Sequence, residues 1–232
     1  MKNFFQKLKR FFYIFLLTVF QLSLLSVILF RILPVPFTPL MVQRFIEHYN
    51  DTNYHFEKEW TSAKNINVEL PLTIVTGEDP KFFNHFGFDF EQIKNSVEKN
   101  MEEGKRLRGA STITQQTAKN LFLLPVRSFI RKGIEVYFTI LLEAIWNKKR
   151  ILEVYMNIIE TGSGIFGFEA ATNHYFKHEA KKINANEAAL MTAVLPNPIR
   201  WKPNKPDAFI LRKKYVLLSL KKYIDKENFW WR

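Results

Sequence analysis

Cysteine is absent from all 232 residues, which excludes a disulfide framework, a thiolate zinc site, an iron–sulfur centre and cysteine catalysis. The absence agrees with an oxidising compartment. Strand-like alternation of apolar and polar residues never persists beyond about four residues, whereas helical spacing recurs along the chain, so a mainly α fold is expected. There are no internal repeats and no low-complexity tracts. No run of Lys and Arg interleaves with aromatics on a strand pattern, so no nucleic-acid partner is expected. Phe11–Phe30 contains no charged residue at all.

What is present is apolar and basic. Apolar residues make up 47% and charged residues 24%, enough for a proper core and against disorder. The aromatic share is 16%, with 23 Phe, which suits a large apolar or lipid-facing surface. The net charge of +12 points to anionic partners. Lys2, Lys7, Lys9 and Arg10 form a basic head before the uncharged segment, and about 20 apolar residues suffice to span a ~30 Å hydrocarbon core. A cleavable signal would have a shorter apolar stretch and a small-x-small site, and Leu29-Phe30-Arg31-Ile32 offers none. Three regions are therefore expected: a cytoplasmic basic tail at 1–10, a transmembrane helix at 11–30 and one exported domain at 31–232. The positive-inside rule puts the N-terminus in the cytoplasm. The portion after the anchor remains basic, which at a membrane favours lipid phosphates over nucleic acid.

Pro34, Pro36 and Pro39 give a stiff exit from the bilayer. Helices are then expected at Met41–Tyr49, from Pro71 to just before Pro80, at Asp89–Glu103, and after a capping box at Thr112-x-x-Gln115. Gly104–Gly109 reads as a basic loop. Helical spacing continues over Ser128–Lys148 and Lys149–Ile159. Gly162, Gly164 and Gly167 interrupt it, and further helices follow at Glu169–Tyr175, Asn186–Val194 and Ala208–Lys222.

Three segments can carry chemistry. In the first, Glu78 and Asp79 are adjacent acids before Pro80. At a helix C-terminus the dipole and burial raise a carboxylate's pKa toward that of a useful base. The same pair also reads as a cap or a salt-bridged couple, and His85 as a structural hydrogen bonder. In the second, Ser111, Thr112, Thr114, Gln115 and Gln116 open a helix whose free N–H groups attract oxyanions, with Lys119 one turn on. A cap alone needs one hydroxyl. In the third, Arg127, Arg131, Lys132 and Glu135 cluster, with Glu143 two turns beyond Glu135. A solvated salt-bridged face accounts for it. Against that, Glu135 lies among Ile134, Val136, Tyr137 and Phe138, a costly place for a carboxylate without a role.

In this order and spacing the segments resemble the peptidoglycan glycosyltransferases of the bacterial cell wall. They look most like the monofunctional biosynthetic transglycosylases, which have one anchor and no transpeptidase domain. The resemblance rests on Glu78-Asp79-x-x-Phe82-x-x-His85-x-Gly87-x-Asp89 and on Gly109-Ala110-Ser111-Thr112-Ile113-Thr114-Gln115-Gln116-Thr117-Ala118-Lys119-Asn120. It continues through Arg131-Lys132-x-x-Glu135 with Glu143, and Lys149-x-Ile151-Leu152-Glu153-x-Tyr155-x-Asn157 followed by Gly167 and Ala170-Ala171. A weaker fifth element is Arg212-x-x-x-Val216-Leu217. Departures are Gly77, where Ala or Ser is usual and a looser helix end is expected, Met156 for Leu, and Thr161 for an aromatic.

The resemblance implies a lysozyme-like, mainly α glycosyltransferase domain over 31–232, with a large lobe and a small membrane-proximal jaw. It implies a bacterial inner-membrane enzyme that polymerises lipid II, with the growing glycan chain as second substrate and other wall-synthesis and division proteins as partners. Glu78 would deprotonate the acceptor 4-hydroxyl, which attacks C1 of the donor with inversion. Lys119, Arg127 and Glu135, the last through a divalent cation (Mg or Mn), would meet the departing pyrophosphate. Asp79, Ser111, Gln115, Gln116, Asn120, Arg131 and Glu143 would bind substrate, and no organic cofactor is implied. Two alternatives remain: a lysozyme-like lytic transglycosylase or glycosidase, which needs no pyrophosphate clamp, and an inactive scaffold, which needs neither glutamate.

Overall fold

The computed structural model describes residues 2–52, 54–103, 111–126 and 128–224. The Gly104–Gly109 loop, Ala110 and Arg127 lie outside the described residues.

The basic head and the apolar segment form one continuous helix, α1 (Lys2–Phe30). Within it Phe4–Phe30 is long and apolar enough to cross a membrane. Most of its large apolar side chains are exposed. Only its last turns meet the rest of the protein. Val27 is fully buried, Ser23 Oγ and Tyr137 Oη lie 2.6 Å apart, and Trp146 Nε1 donates to the Val27 carbonyl at 2.8 Å. Arg150 closes the helix end by donating to the Phe30 carbonyl through Nε and Nη2.

Helix α2 (Pro39–Glu47) begins two residues before the expected position. Thr38 caps it by accepting from the Met41 N–H, and Pro39 needs no donor at the first position. Helix α3 (Glu69–Glu78) likewise starts early and tolerates Pro71 within its first turn. It ends where Pro80 requires, with the Asp79 N–H bonded to the Val75 carbonyl. Then come α4 (Phe90–Glu103), α5 (Ile113–Phe122), α6 (Phe129–Ile145) and α7 (Lys148–Ile158). Thr112, Ser128 and Asn147 cap the last three. After them run α8 (Phe168–Phe176), α9 (Ala185–Val194) and α10 (Ala208–Leu220), the last finishing in a 3₁₀ turn at Lys221–Tyr223.

The glycines between α7 and α8 do more than interrupt a helix. They build a three-stranded sheet that the sequence pattern does not announce, because each strand is too short to alternate. Strand β1 (Glu57–Lys58) runs parallel to β3 (Ile165–Phe166), which pairs antiparallel with β2 (Glu160–Gly162). Gly164 turns the β2–β3 hairpin at φ +74°, and a Cβ there would lie 2.3 Å from the His55 carbonyl oxygen. No other residue fits that turn.

Two helix groups make the core. Helix α5 packs between α6 and α7, and α3 packs on α9 and α10. Ile151, Leu152, Val154 and Tyr155 of α7 are fully buried, and each such apolar side chain contributes about 1.5–3 kcal/mol. The second group explains Gly77. A Cβ there would stand 2.8 Å from both Leu217 Cδ2 and Thr192 Cγ2. Instead of loosening the end of α3, glycine lets that end approach α9 and α10, and so positions Glu78.

Candidate active site

The end of α3 meets the start of α5, and Asp79 joins them. Its carboxylate accepts from the Ile113 N–H at 3.0 Å, and its other oxygen lies 2.9 Å from His85 Nε2. Thr112 Oγ1 donates to the Gly87 carbonyl at 2.7 Å, tying the loop after α3 to the same helix start. Asp79 is fully buried. Its oxygens therefore serve the free N–H groups of α5 and the ring of His85, a positioning role toward the cleft.

That clamp sets Glu78 against Gln116. Gln116 Nε2 donates to Glu78 Oε2 at 3.0 Å, and Tyr155 Oη donates to Gln116 Oε1 at 3.3 Å. Burial holds the Glu78 carboxyl above its ordinary pKa, and Asp79 adds to the rise. The Gln116 bond and the charges of Lys213 and Lys119 pull it back. Burial also raises the Tyr155 phenol, so it stays protonated and keeps its donor toward Gln116.

Lys119 stands within electrostatic reach of both glutamates. Burial lowers its pKa, Glu135 and Glu78 oppose that, and Arg131 and Lys132 reinforce it. Glu135 is 3% exposed, with Lys132 Nζ at 2.5 Å and Arg131 Nη1 at 3.9 Å. Arg131 Nε is buried with no hydrogen-bond partner among the described residues, a donor left for an incoming anion. A hydrogen bond, an ion pair and electrostatic interactions thus link Glu78, Gln116, Lys119, Arg131 and Glu135 in one network.

Other expected residues are occupied elsewhere. Gln115 completes the α5 capping box, accepting from the Thr112 N–H at 3.1 Å, and is 4% exposed. Glu143 accepts from Thr114 Oγ1 and Lys148 Nζ, each at 2.6 Å, and Lys148 also donates to the His85 carbonyl. These bonds brace α5, α6 and α7 beneath the cleft. Ser111 is exposed, its carbonyl 3.5 Å from Gln116 Nε2, and Asn120 is half-buried. Arg127 falls outside the described residues.

One charged neighbour escapes sequence reasoning. Lys213 on α10 donates to the Ala193 carbonyl at 3.0 Å, and its charge and that of Glu78 act on each other. Burial lowers its pKa. Its only signal is adjacency to Arg212 in the fifth element, which does not say that α10 packs on α3. As for a metal, no group of three or more His, Asp and Glu gathers among the described residues. Glu135 alone can offer a carboxylate oxygen to a cation whose remaining ligands are waters and substrate phosphates, a common arrangement for magnesium.

Residues 43–221 match the family described as Transglycosylase. A biosynthetic peptidoglycan transglycosylase of Haemophilus influenzae is 48% identical over 206 residues, covering 88% of this chain and 82% of its own. One from Pasteurella multocida is 46% identical over 215 residues, 92% of this chain and 85% of its own. One from Bdellovibrio bacteriovorus is 43% identical over 220 residues, 94% and 88%.

Proposed function

The chain belongs to the transglycosylase family, and from that membership and the geometry of its cleft we propose how it works. It is a peptidoglycan glycosyltransferase that polymerises glycan strands in cell-wall synthesis. Its substrate, on this reading, is lipid II, a disaccharide-pentapeptide carried on undecaprenyl pyrophosphate. The observation that carries the proposal is the half-buried Glu78, its carboxyl raised in pKa, within electrostatic reach of the half-buried cation Lys119, on which Arg131 and Lys132 also act.

A sugar hydroxyl is a poor nucleophile until its proton is taken. Glu78, held by Gln116, accepts that proton from the acceptor 4-hydroxyl as the oxygen attacks C1 of the donor from the opposite face. The bond from C1 to the pyrophosphate oxygen breaks, and the lipid pyrophosphate leaves with the electron pair. Lys119 and Arg131 meet its charge in a site that excludes much of the water, where such contacts are strong. Arg127, outside the described residues, would also bind the pyrophosphate. A divalent cation held by Glu135 and the phosphates would add further charge neutralisation. A glycosidase needs an acid on the glycosidic oxygen and a second carboxylate, and has no use for this cationic cluster.

Helix α1 is proposed as the anchor in the cytoplasmic membrane, its basic head inside and the catalytic domain outside. Leu124, Val126, Phe129 and Ile130 are exposed apolar residues just beyond α5, Phe129 by 98%. Seated in the lipid interface, they bring the membrane-borne pyrophosphate to Lys119 while its tail stays in the bilayer. The test is incubation of the purified chain with labelled lipid II. Polymer that lysozyme digests is expected, and cleavage of finished glycan with no use of lipid II would put a hydrolase in its place.

A further inference from the structure

Where α1 ends, a cavity of about 590 Å³ opens between the outgoing chain, the segment around Trp60 and the first turn of α7. It shares no residue with the catalytic cleft. Four cationic side chains line it, Arg31, Lys64, Lys149 and Arg150, against the single acid Glu153. Glu153 is already paired with Arg150 at 2.7 Å, so the wall is strongly positive. Arg150 is fixed in place: it donates to the Phe30 and Leu33 carbonyls and lies 5.3 Å from the Trp60 ring centroid and 5.9 Å from that of Trp146. The N-terminus of the 11-residue α7, capped by Asn147, adds its positive end to the same wall.

The chemistry of the rim decides what kind of anion fits. Ile32 and Leu33 stand beside the cavity 77% and 51% exposed, directly after the apolar helix. A soluble anion gains nothing from such a rim, whereas a phospholipid needs a cationic pocket for its phosphate and an apolar path for its chains. We infer that this cavity seats the phosphodiester headgroup of an anionic phospholipid, its acyl chains running along Ile32 and Leu33 beside α1. The inference rests on reading α1 as the membrane anchor. The bound lipid fixes the domain on the bilayer at the point where the chain leaves it, beyond what the helix alone does.

Native mass spectrometry of the full chain, released from nanodiscs of equal phosphatidylglycerol and phosphatidylcholine, tests it. Phosphatidylglycerol should be retained in preference. Lys64→Gln with Lys149→Gln should weaken that retention roughly thirtyfold, the effect of two basic side chains at an anionic surface. Lys202→Gln with Lys205→Gln, exposed and not lining the cavity, should leave it unchanged. If the first pair unfolds, Arg31→Gln alone, exposed and outside any helix, should still cost roughly fivefold. Equal retention in cavity variants and wild type overturns the proposal. So does loss of the preference in millimolar inorganic phosphate, which would make this a site for the free anion. Release of the chain from membranes by alkaline carbonate would overturn the anchor and the lipid site together. Retention without a lipid preference would overturn the lipid site alone.

Discussion

Glu78 at the end of α3 and Glu135 in the second turn of α6 are two largely buried carboxylates in one cleft, with opposite neighbours. Glu78 is held by an amide, with Lys119 and Lys213 acting only at a distance, and burial pushes its pKa up. Glu135 has Lys132 against it and Arg131 at 3.9 Å. In the proposed mechanism the same side chain is a proton acceptor in one place and an organiser of cations in the other. Helix packing decides which, since it chooses what stands opposite each carboxylate.

Removing the acceptor should have the larger effect. Glu78→Gln keeps the shape and the Gln116 contact but cannot take a proton. Turnover on lipid II should fall at least about a hundredfold, within the usual range for a positioned base, while substrate binding persists. Near-normal polymerisation by this variant would remove Glu78 from the role.

Glu135→Gln should cost less, about tenfold, on the scale of one hydrogen bond to a charged group. Its defect should respond to divalent-ion concentration, and that of Glu78→Gln should not. Titrating magnesium into both variants makes the comparison. Identical metal responses would erase the distinction between the two carboxylates.

The pH profile sharpens the comparison further. As the proposed base Glu78 acts ionised, and its raised pKa should move the acid limb of kcat above the ordinary carboxylate range. As the proposed pyrophosphate ligand Lys119 acts protonated, and its lowered pKa should bring the alkaline limb below the ordinary lysine range. A bell narrower than free Glu and Lys would give is expected. Lys119→Arg should carry the alkaline limb upward, since guanidinium does not titrate there. A limb that stays in place would assign it to another group.

Most helices could be read from local chemistry. Thr112 with Gln115 marks the start of α5 in the sequence as in the structure, and Pro80 marks the end of α3. What could not be read depends on residues far apart in the chain. Gly77 looks like a weak helix end until Leu217 and Thr192 are seen against it. Lys213 looks like any helix lysine until α10 is placed on α3. Helix α6 misleads differently, because it carries two apolar faces. One holds Phe138 and Leu142 in the core around Glu135, and the other leaves Phe129, Ile130 and Ile134 exposed. Periodicity alone merges the two. The chemical motifs were legible because each is a local run, but Gln115 and Glu143 show the limit. A polar residue within a motif can equally brace the backbone behind the cleft.

The smallest effect expected is on stability, and it separates the two glutamates by sign. The folded pKa of Glu78 lies above its unfolded value. Between those two values the folded chain binds the proton more tightly, so stability falls as pH rises through the window and stays lower above it. Glu78→Gln carries no charge to bury. Near neutral pH it should therefore melt higher than wild type, by roughly 2–4 °C for each kcal/mol gained in a domain of this size. The gain should shrink as pH drops through the raised pKa and vanish below the ordinary carboxylate value. Glu135→Gln should instead melt lower than wild type near neutral pH, because it leaves Lys132 and Arg131 facing each other and removes their counter-charge and that of Lys119. Thermal melts of both variants across pH measure this directly. Shifts of the same sign would mean that the two carboxylates are held alike, and the division of roles between them would fail.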